Sequence, residues 1–125
     1  MDRKEIFVGI RPNIASATFD AETSEQEKFQ NQVLRPVIKL QHEFLLVYFS
    51  QYLIKHKKDI KATDMATRIQ TIEKILQSDI PLRNILIGSI VGLLTHAEVI
   101  KYYEYESELR NRIIKMITKR FAEAI

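Results

Sequence analysis

From residue 24 to residue 55 the chain reads SEQEKFQNQVLRPVIKLQHEFLLVYFSQYLIK, and this stretch decides the fold. Its large apolar residues recur every three or four positions, which is the spacing of one face of an α-helix. Ser24 followed by Glu27 forms a capping box, in which each side chain accepts a hydrogen bond from the backbone N–H of the other residue. Lys55 and His56 open a polar stretch that suits a helix C-terminus, where cations are favoured. The pattern predicts a long first helix over residues 24–56.

Pro36 lies inside this first helix and has no N–H to donate to the carbonyl oxygen of Gln32. Its ring also crowds the preceding turn, so we expect a kink or a break near Leu34 and Arg35. Every residue from Phe44 to Phe49 is apolar. Because a helix that is apolar all round is usually covered on several sides, this part is predicted to be the central element of the domain.

Two shorter helices are predicted to follow. Thr63 and Asp64 offer N-caps for an amphipathic helix over residues 64–77. Ser78 and Asp79 offer caps for a third helix over residues 79–94, which is apolar at almost every position.

Thr95 and Glu98 form a second capping box, which predicts a helix over residues 96–123. This helix either runs unbroken or pauses near residues 105–107, where Ser107 would cap a fifth helix. The chain has only three glycines and three prolines among its 125 residues, too few for the many turns of an all-β fold. We therefore predict an all-α fold, with a four- or five-helix bundle over residues 24–125.

Residues 1–23 show no sustained helical period and are expected to form an irregular N-terminal arm. Phe7, Ile10 and Phe19 are the apolar residues that would pin this arm to the bundle. The stretch lacks the long apolar region of a secretory signal. Since the chain also has no cysteine, which suits a reducing compartment, we expect a cytoplasmic protein.

Charge and hydropathy bear on the partners. Residues 84–97 contain no Lys, Arg, Asp or Glu, but a membrane-spanning helix needs about 20 apolar residues, so we expect a buried helix and no membrane. The net charge of +3 is too small to indicate nucleic acid. A basic face that carries Arg112, Lys115 and Lys119 leaves weak nucleic-acid binding as a third alternative.

Few residues could carry chemistry. His42, His56 and His96 are the only imidazoles, and none belongs to a Glu-x-x-His pair or a His-Glu-x-x-His motif, so we expect no metal site. Glycine-rich phosphate loops and nucleophile elbows do not occur either. We therefore name no catalytic residue and expect no cofactor. Arg35, His42 and Arg83 are the candidates for polar groups that converge in a pocket between helices.

Gly88 and Gly92 lie four positions apart on the predicted third helix. A glycine in a helix interior costs about 1 kcal/mol relative to alanine, so each needs a reason. The favoured interpretation is a close approach of this helix to the first helix in the same chain. The other interpretation is a dimer contact in which two helix backbones meet.

The chain also resembles a known group of proteins from Ser24 to the C-terminus. The resemblance rests on Glu27-Lys28-Phe29-Gln30-Asn31, Leu34-Arg35-Pro36, Lys39-Leu40-Gln41, Asp79-Ile80, Leu82-Arg83-Asn84, Gly88, Gly92, Thr95, Glu98, Leu109, Arg112, Met116 and Arg120. On these residues the chain is similar to uncharacterised short all-helical proteins of Bacteroidetes-type bacteria, some copies of which are labelled glyoxalase. The resemblance implies a bacterial, intracellular helical domain. Enzymes of the glyoxalase I superfamily hold their metal on strands of βαβββ modules, so no catalytic residue is carried over.

These observations favour a non-enzymatic helical domain for protein interaction or structure. The third and last helices have more apolar residues than one narrow stripe, which predicts self-association, most simply as a homodimer. The alternative is a small-molecule-binding protein or a metal-dependent enzyme, of the glyoxalase type or another, that uses a pocket between helices.

Overall fold

The computed structural model describes residues 2–12, 23–60 and 64–125, and every regular element within them is a helix. In chain order the elements are α1 (Arg3–Gly9), α2 (Glu25–Phe29), a π-helical turn (Gln30–Leu34), α3 (Arg35–Leu40), α4 (His42–Lys55), α5 (Met65–Ser78), α6 (Ile80–Val91), α7 (His96–Glu104) and α8 (Glu106–Ala124). The all-α prediction is confirmed. The described residues contain more helical segments than the predicted four or five, because the first and last predicted helices are divided and α1 is added.

The first predicted helix is divided next to Pro36. Over residues 30–34 the backbone forms a π-helical turn, in which Arg35 N–H donates to the carbonyl oxygen of Gln30, five residues back. Pro36 then falls in the first turn of α3, directly after the π-helical turn, and it has no N–H to donate to the preceding turn. The hydrogen-bonding pattern changes at the predicted place, while a bend of the helix axis there stays a prediction.

Most helix starts follow the local signals in the sequence. Side chains accept a hydrogen bond from a backbone N–H in the first turn of their helix at Ser24, Asp64, Asp79 and Thr95. The predictions for Ser78 and Ser107 are wrong, because Ser78 ends α5 and Ser107 lies inside α8. The predicted pause is confirmed at Tyr105, which precedes α8. Thr63 lies outside the described residues.

The centre of the core is α8. Side chains with 0% exposure recur at every fourth position along it, at Leu109, Ile113, Ile117 and Phe121. Phe121 stacks on Phe49 of α4 with ring centroids 4.3 Å apart, and α5 packs along α8 more extensively than any other described helix does. The prediction that Phe44–Phe49 is the covered centre is wrong, because α4 buries one side only and its Val47 is 62% exposed.

The N-terminal arm is not irregular throughout, because Arg3–Gly9 form α1. Asp2 caps this helix by accepting a hydrogen bond from Glu5 N–H, a signal within a segment too short to show a helical period. Ile10, predicted to pin the arm, is 51% exposed. Phe7 lies under the guanidinium of Arg3, 4.1 Å from the ring centroid, and Phe19 lies outside the described residues.

Two arginines hold this N-terminal segment on the turn between α6 and α7. Arg3 Nη2 donates to the carbonyl oxygens of Gly92 and Leu94, at 2.7 and 3.1 Å. Arg11 Nη2 donates to the carbonyl oxygen of Leu93 at 3.0 Å. The end of α6 leaves these carbonyl groups without helical partners, so the arginines satisfy them.

The expectation that Gly88 approaches the first helix closely is wrong. Gly88 is exposed, and a Cβ atom built on it would meet nothing within 4 Å. The absence of a side chain at Gly92 has a local explanation instead. A Cβ atom there would lie 3.0 Å from the carbonyl oxygen of Gly88. Because Gly88 faces solvent on α6, a contact with a second molecule stays a prediction.

Candidate functional site

The structure brings together two of the three residues proposed for a pocket. Arg35 of α3 and His42 of α4 line a cavity of about 470 Å³ against the C-terminal half of α8. Arg83 lies in a second cavity, which α5, α6 and α8 form. Arg35 and His42 are seven positions apart in one helical stretch, whereas Arg83 is carried by α6, whose neighbours at that position are α5 and α8.

We call the first cavity the cationic cleft. Its charged and polar lining consists of Arg35, His42, Lys119, Arg120 and Glu123. Lys119 Nζ lies 4.0 Å from Glu123 Oε1. Among the described residues, no carboxylate oxygen lies within 4.0 Å of Arg35 or Arg120. Within the described residues, the cleft therefore holds two guanidinium groups that form no ion pair.

Arg120 contacts His42 directly. Arg120 Nη1 lies 3.1 Å from His42 Nδ1. A guanidinium can only donate, so this contact assigns Nδ1 as the acceptor and the proton of a neutral ring to Nε2. A protonated imidazole has no acceptor nitrogen and could not make the bond. When Nδ1 accepts from Arg120, the ring N–H at Nε2 is left as a further donor.

The surroundings of Arg120 disfavour its positive charge. Burial lowers the pKa of the Arg120 guanidinium; Glu123 raises it, and the charge of Arg35 lowers it further, with a net lowering. Arginine still remains protonated at neutral pH. An anion between Arg35 and Arg120 would offset both the partial desolvation and the repulsion between the two cations.

The π-helical turn positions Arg35. Asn31 lies within that turn, and its Oδ1 accepts a hydrogen bond from Arg35 Nε at 2.7 Å. Because this bond uses Nε, the two terminal nitrogens of the guanidinium are the groups that remain for a ligand. The feature that divides the first predicted helix thus also orients a side chain of the cleft.

The cleft continues past the start of α4. A neighbouring opening of about 480 Å³ shares His42 and Arg120 with the cationic cleft. Its lining adds Lys39 and Glu43 from the first predicted helix and Pro12 from the N-terminal segment. His42 and Arg120 therefore line both openings.

Most of the charged side chains that line the cationic cleft are cations. No serine, threonine, tyrosine or cysteine is among the described residues that line the cationic cleft, so His42 has no nucleophile to activate there. In the part of the chain that the structure describes, no three His, Cys, Asp or Glu side chains gather as a metal site requires. What the cleft does provide is a set of cationic donors, which suit a carboxylate or a phosphate.

Arg120 was not among the residues predicted to line a pocket. In the sequence it was named only among the residues that carry the resemblance. A signal was present, because residue 120 follows Met116 by one helical turn and so lies at the edge of the apolar stripe of α8. A cation at that edge is partly buried beside whichever helix covers the stripe.

A different kind of surface lies on the outward side of α4. Val47 and Ile54 are 62% and 70% exposed there, and Phe44 is exposed as well. These three residues, the α4 apolar stripe, fall on one side of the helix. In residues 2–12, 23–60 and 64–125, no helix has the length and apolar character needed to cross a membrane.

The fold and the cleft together define an all-helical protein with a cationic cavity open to solvent. No protein-family model, curated protein or solved structure matches this chain. Its function is therefore inferred from its own residues.

Proposed function

We propose that this chain is a non-enzymatic helical binding protein whose cationic cleft holds the oxyanion group of a small ligand. The observation that supports this most is that Arg35 and Arg120 line one cavity without a carboxylate within 4.0 Å in the described residues. Hydrogen bonds from a guanidinium to a carboxylate or phosphate are short and strong, and they are frequently bidentate. A volume of about 470 Å³ is ordinary for a small-molecule site.

The ligand would also have an apolar part. Ile38 and Met116 line the cationic cleft beside the charged groups, and Ile38 is buried while Met116 is partly buried. A carboxylate or phosphate at Arg35 and Arg120 would thus leave the rest of a small organic ligand against an apolar wall. Inorganic phosphate would use the cationic end alone.

Titrations followed by ¹H–¹⁵N NMR test the proposal. Inorganic phosphate and butyrate are added separately, and we expect saturable shifts of the Arg120 side-chain Nε–H and of amides around Met116. Arg120→Gln should weaken binding of the preferred probe about tenfold, a loss of about 1.4 kcal/mol.

The matched control is Lys74→Gln, which removes one exposed cation from α5, away from the cleft. Binding to this variant should stay within twofold of the wild type. An equal loss in both variants would show that the probes sense net charge alone. Either that result or the absence of any saturable shift would overturn the proposal.

Self-association is the second candidate function, and the exposure of the α4 apolar stripe favours it. The dimer surface expected on the third and last helices is less available, since Ile87 is 3% exposed and Ile114 is partly buried. On α6, Ile85 and Gly88 are exposed. The Ser89 carbonyl oxygen of the same helix accepts a hydrogen bond at 3.0 Å from Nε2 of Gln41, the residue before α4. Homodimer interfaces are commonly built from such apolar residues.

Sedimentation equilibrium separates this second candidate from a monomer. If the stripe forms a dimer, the mass should lie near twice 14.7 kDa and fall to one chain in Val47→Lys. Gln70→Lys, on the exposed side of α5, is the control that should leave the dimer intact. A mass of one chain at all micromolar concentrations would exclude the dimer.

Nucleic-acid binding by the C-terminal basic face has less support. Arg112 Nη2 is paired with Glu108 Oε1 at 2.9 Å, and Lys119 with Glu123, so part of the charge is already balanced. The resemblance implies a bacterial origin and an intracellular setting, and the absence of cysteine favours a cytoplasmic location. All three remain proposals.

A further inference from the structure

The charges that line the cationic cleft indicate how much negative charge a ligand there should carry. Lys119 lies beside Glu123, with Nζ 4.0 Å from Oε1, so these two charges offset each other. Arg35 and Arg120 have no carboxylate within 4.0 Å in the described part of the chain. His42 is neutral when its Nδ1 accepts from Arg120. The described lining therefore presents two positive charges that form no ion pair.

The neighbouring opening does not change this balance. To the shared His42 and Arg120 it adds one cation, Lys39, and one carboxylate, Glu43. A ligand with a single negative charge would therefore leave one positive charge of the cleft without a counterion. The two guanidinium groups are close enough for the charge of Arg35 to lower the pKa of Arg120. A second negative charge on the ligand would offset this repulsion.

The donor atoms of both arginines can be reached from solvent. Arg35 is an exposed residue, and because its Nε is bonded to Asn31, its two terminal nitrogens remain for a ligand. Nη1 of Arg120 contacts His42. Nε and Nη2 of Arg120 have no partner among the described residues, and both keep contact with solvent. Each guanidinium can therefore offer one pair of nitrogens to a ligand.

A phosphate group suits two such pairs better than a carboxylate does. A carboxylate has a single O–C–O edge, which one guanidinium occupies when the contact is bidentate. The three terminal oxygens of a phosphate monoester form three O–P–O edges, so two guanidinium groups can each occupy one. Near pH 7 the monoester also carries a charge of about −1.5 to −2, which matches the two unpaired cations of the cleft.

We infer that the cationic cleft binds a dianionic phosphate monoester of a small organic molecule, with the phosphate between Arg35 and Arg120 and the organic part on Met116. The inference rests on the proposed function, since it names the class of oxyanion that the same cleft prefers. Met116 is partly buried and lines the cleft together with the two arginines. A phosphodiester has two terminal oxygens and one charge, so it should bind more weakly.

The test compares propyl phosphate with methyl propyl phosphate, a diester that stays a monoanion at every pH used. Each is titrated at pH 8 into the full chain labelled with ¹³C at the methionine methyl groups. We expect a saturable shift of the Met116 signal and binding of propyl phosphate about tenfold tighter than that of the diester. The Met65 signal is the internal control, because Met65 starts α5 and lines neither opening.

The pH dependence identifies the second negative charge as the cause of that preference. The second pKa of a phosphate monoester is about 6, so propyl phosphate is mainly a monoanion at pH 5. The tenfold advantage over the diester should therefore fall to about twofold at pH 5. The ratio of the two affinities is measured because a change in the charge of the protein acts on both probes. An advantage that stayed tenfold at pH 5 would overturn the inference.

Arg35→Gln tests whether both guanidinium groups bind the phosphate. With Arg120 alone, the advantage of propyl phosphate at pH 8 should fall to about threefold, the square root of ten, if the two charges contribute equally. Because Arg35 is exposed, the variant should fold. The control Lys74→Gln removes an exposed cation of α5 and should keep the tenfold ratio. An unchanged ratio in Arg35→Gln would contradict the inference.

Failure of this inference and failure of the proposed function give different results. Equal binding of the monoester and the diester at pH 8, with a saturable shift of Met116, would overturn the preference for a dianion and leave the oxyanion site standing. The absence of a saturable shift of Met116 with either probe would overturn both.

Discussion

Arg11 and Glu98, which lie 87 positions apart, form a bidentate ion pair. Arg11 Nη1 lies 2.8 Å from Glu98 Oε2, and Arg11 Nη2 lies 2.6 Å from Glu98 Oε1. The same Oε1 accepts a hydrogen bond from Thr95 N–H at 2.9 Å. One carboxylate thus completes the capping box of α7 and also fastens the segment after α1 to it. A variant that removes this carboxylate should therefore destabilise both the start of α7 and the N-terminal segment.

The first prediction is that Glu98→Gln lowers the free energy of unfolding by about 2–3 kcal/mol, since it removes charged hydrogen bonds from a largely buried site. Urea denaturation measures this change. The control is Glu104→Gln, because Glu104 makes an exposed contact with Lys101 at 3.9 Å, and it should cost less than about 1 kcal/mol. Equal effects of the two variants would contradict the prediction.

The second prediction concerns acid. Burial raises the pKa of Glu98, but the hydrogen bonds from Arg11 and Thr95 and the charge of Arg11 lower it by more, so its net pKa lies below the ordinary value. A carboxyl group whose folded pKa is lowered stabilises the fold above its unfolded pKa of about 4.3. This contribution is lost as the pH falls through the folded pKa. Urea denaturation between pH 3 and pH 7 should show wild type and Glu98→Gln converging at the acid end, and a constant difference would speak against it.

Local signals in the sequence predicted the helix starts well. Asp64 accepts a hydrogen bond from Thr67 N–H, and Asp79 accepts one from Leu82 N–H, each three positions later. Because the partners are so close in sequence, the local sequence alone determines these bonds. The Arg11–Glu98 pair and the contact of Arg120 with His42, across 78 positions, depend on which helices pack together. Composition and periodicity carry no information of that kind.

The apolar run from Phe44 to Phe49 shows a second limit. Its composition predicted a covered helix, yet Val47 faces solvent while Phe49 is buried against α8. Hydrophobicity indicates how many apolar atoms a helix has, but the neighbours decide how many sides of it are covered. The candidate site was predicted only in part for the same reason. Arg35 and His42 are close together in the sequence, but Arg120, which lines the same cavity, comes from another helix.

The third prediction concerns base and the hydrogen bond from Tyr52 Oη to Asp79 Oδ2, which is 2.7 Å long. Burial, then this hydrogen bond and the charge of Asp79, raise the pKa of Tyr52 to about 12. A tyrosine with a raised folded pKa stabilises the fold below its unfolded pKa of about 10, and this contribution is lost as the pH rises through the folded value.

Ultraviolet titration of the tyrosinate absorbance measures the effect of Asp79 on Tyr52. In Asp79→Asn the titration of Tyr52 should move toward lower pH, because the charge is gone while asparagine can still cap α6. Tyr52→Phe should remove the titration step at the highest pH and identifies its source. If Asp79→Asn left that step in place, the charge of Asp79 would not contribute to the raised pKa of Tyr52.

The last prediction uses the two glycines of α6 as a matched pair. Gly88→Ala should raise the free energy of unfolding by about 0.5–1 kcal/mol, because alanine restricts the unfolded chain and its Cβ meets open space. Gly92→Ala should gain less or lose stability, because its Cβ would lie 3.0 Å from the carbonyl oxygen of Gly88. Thermal and urea denaturation at low protein concentration measure both changes. If a dimer packed backbone to backbone at Gly88, Gly88→Ala would instead weaken association as concentration rises, and sedimentation equilibrium would show that loss.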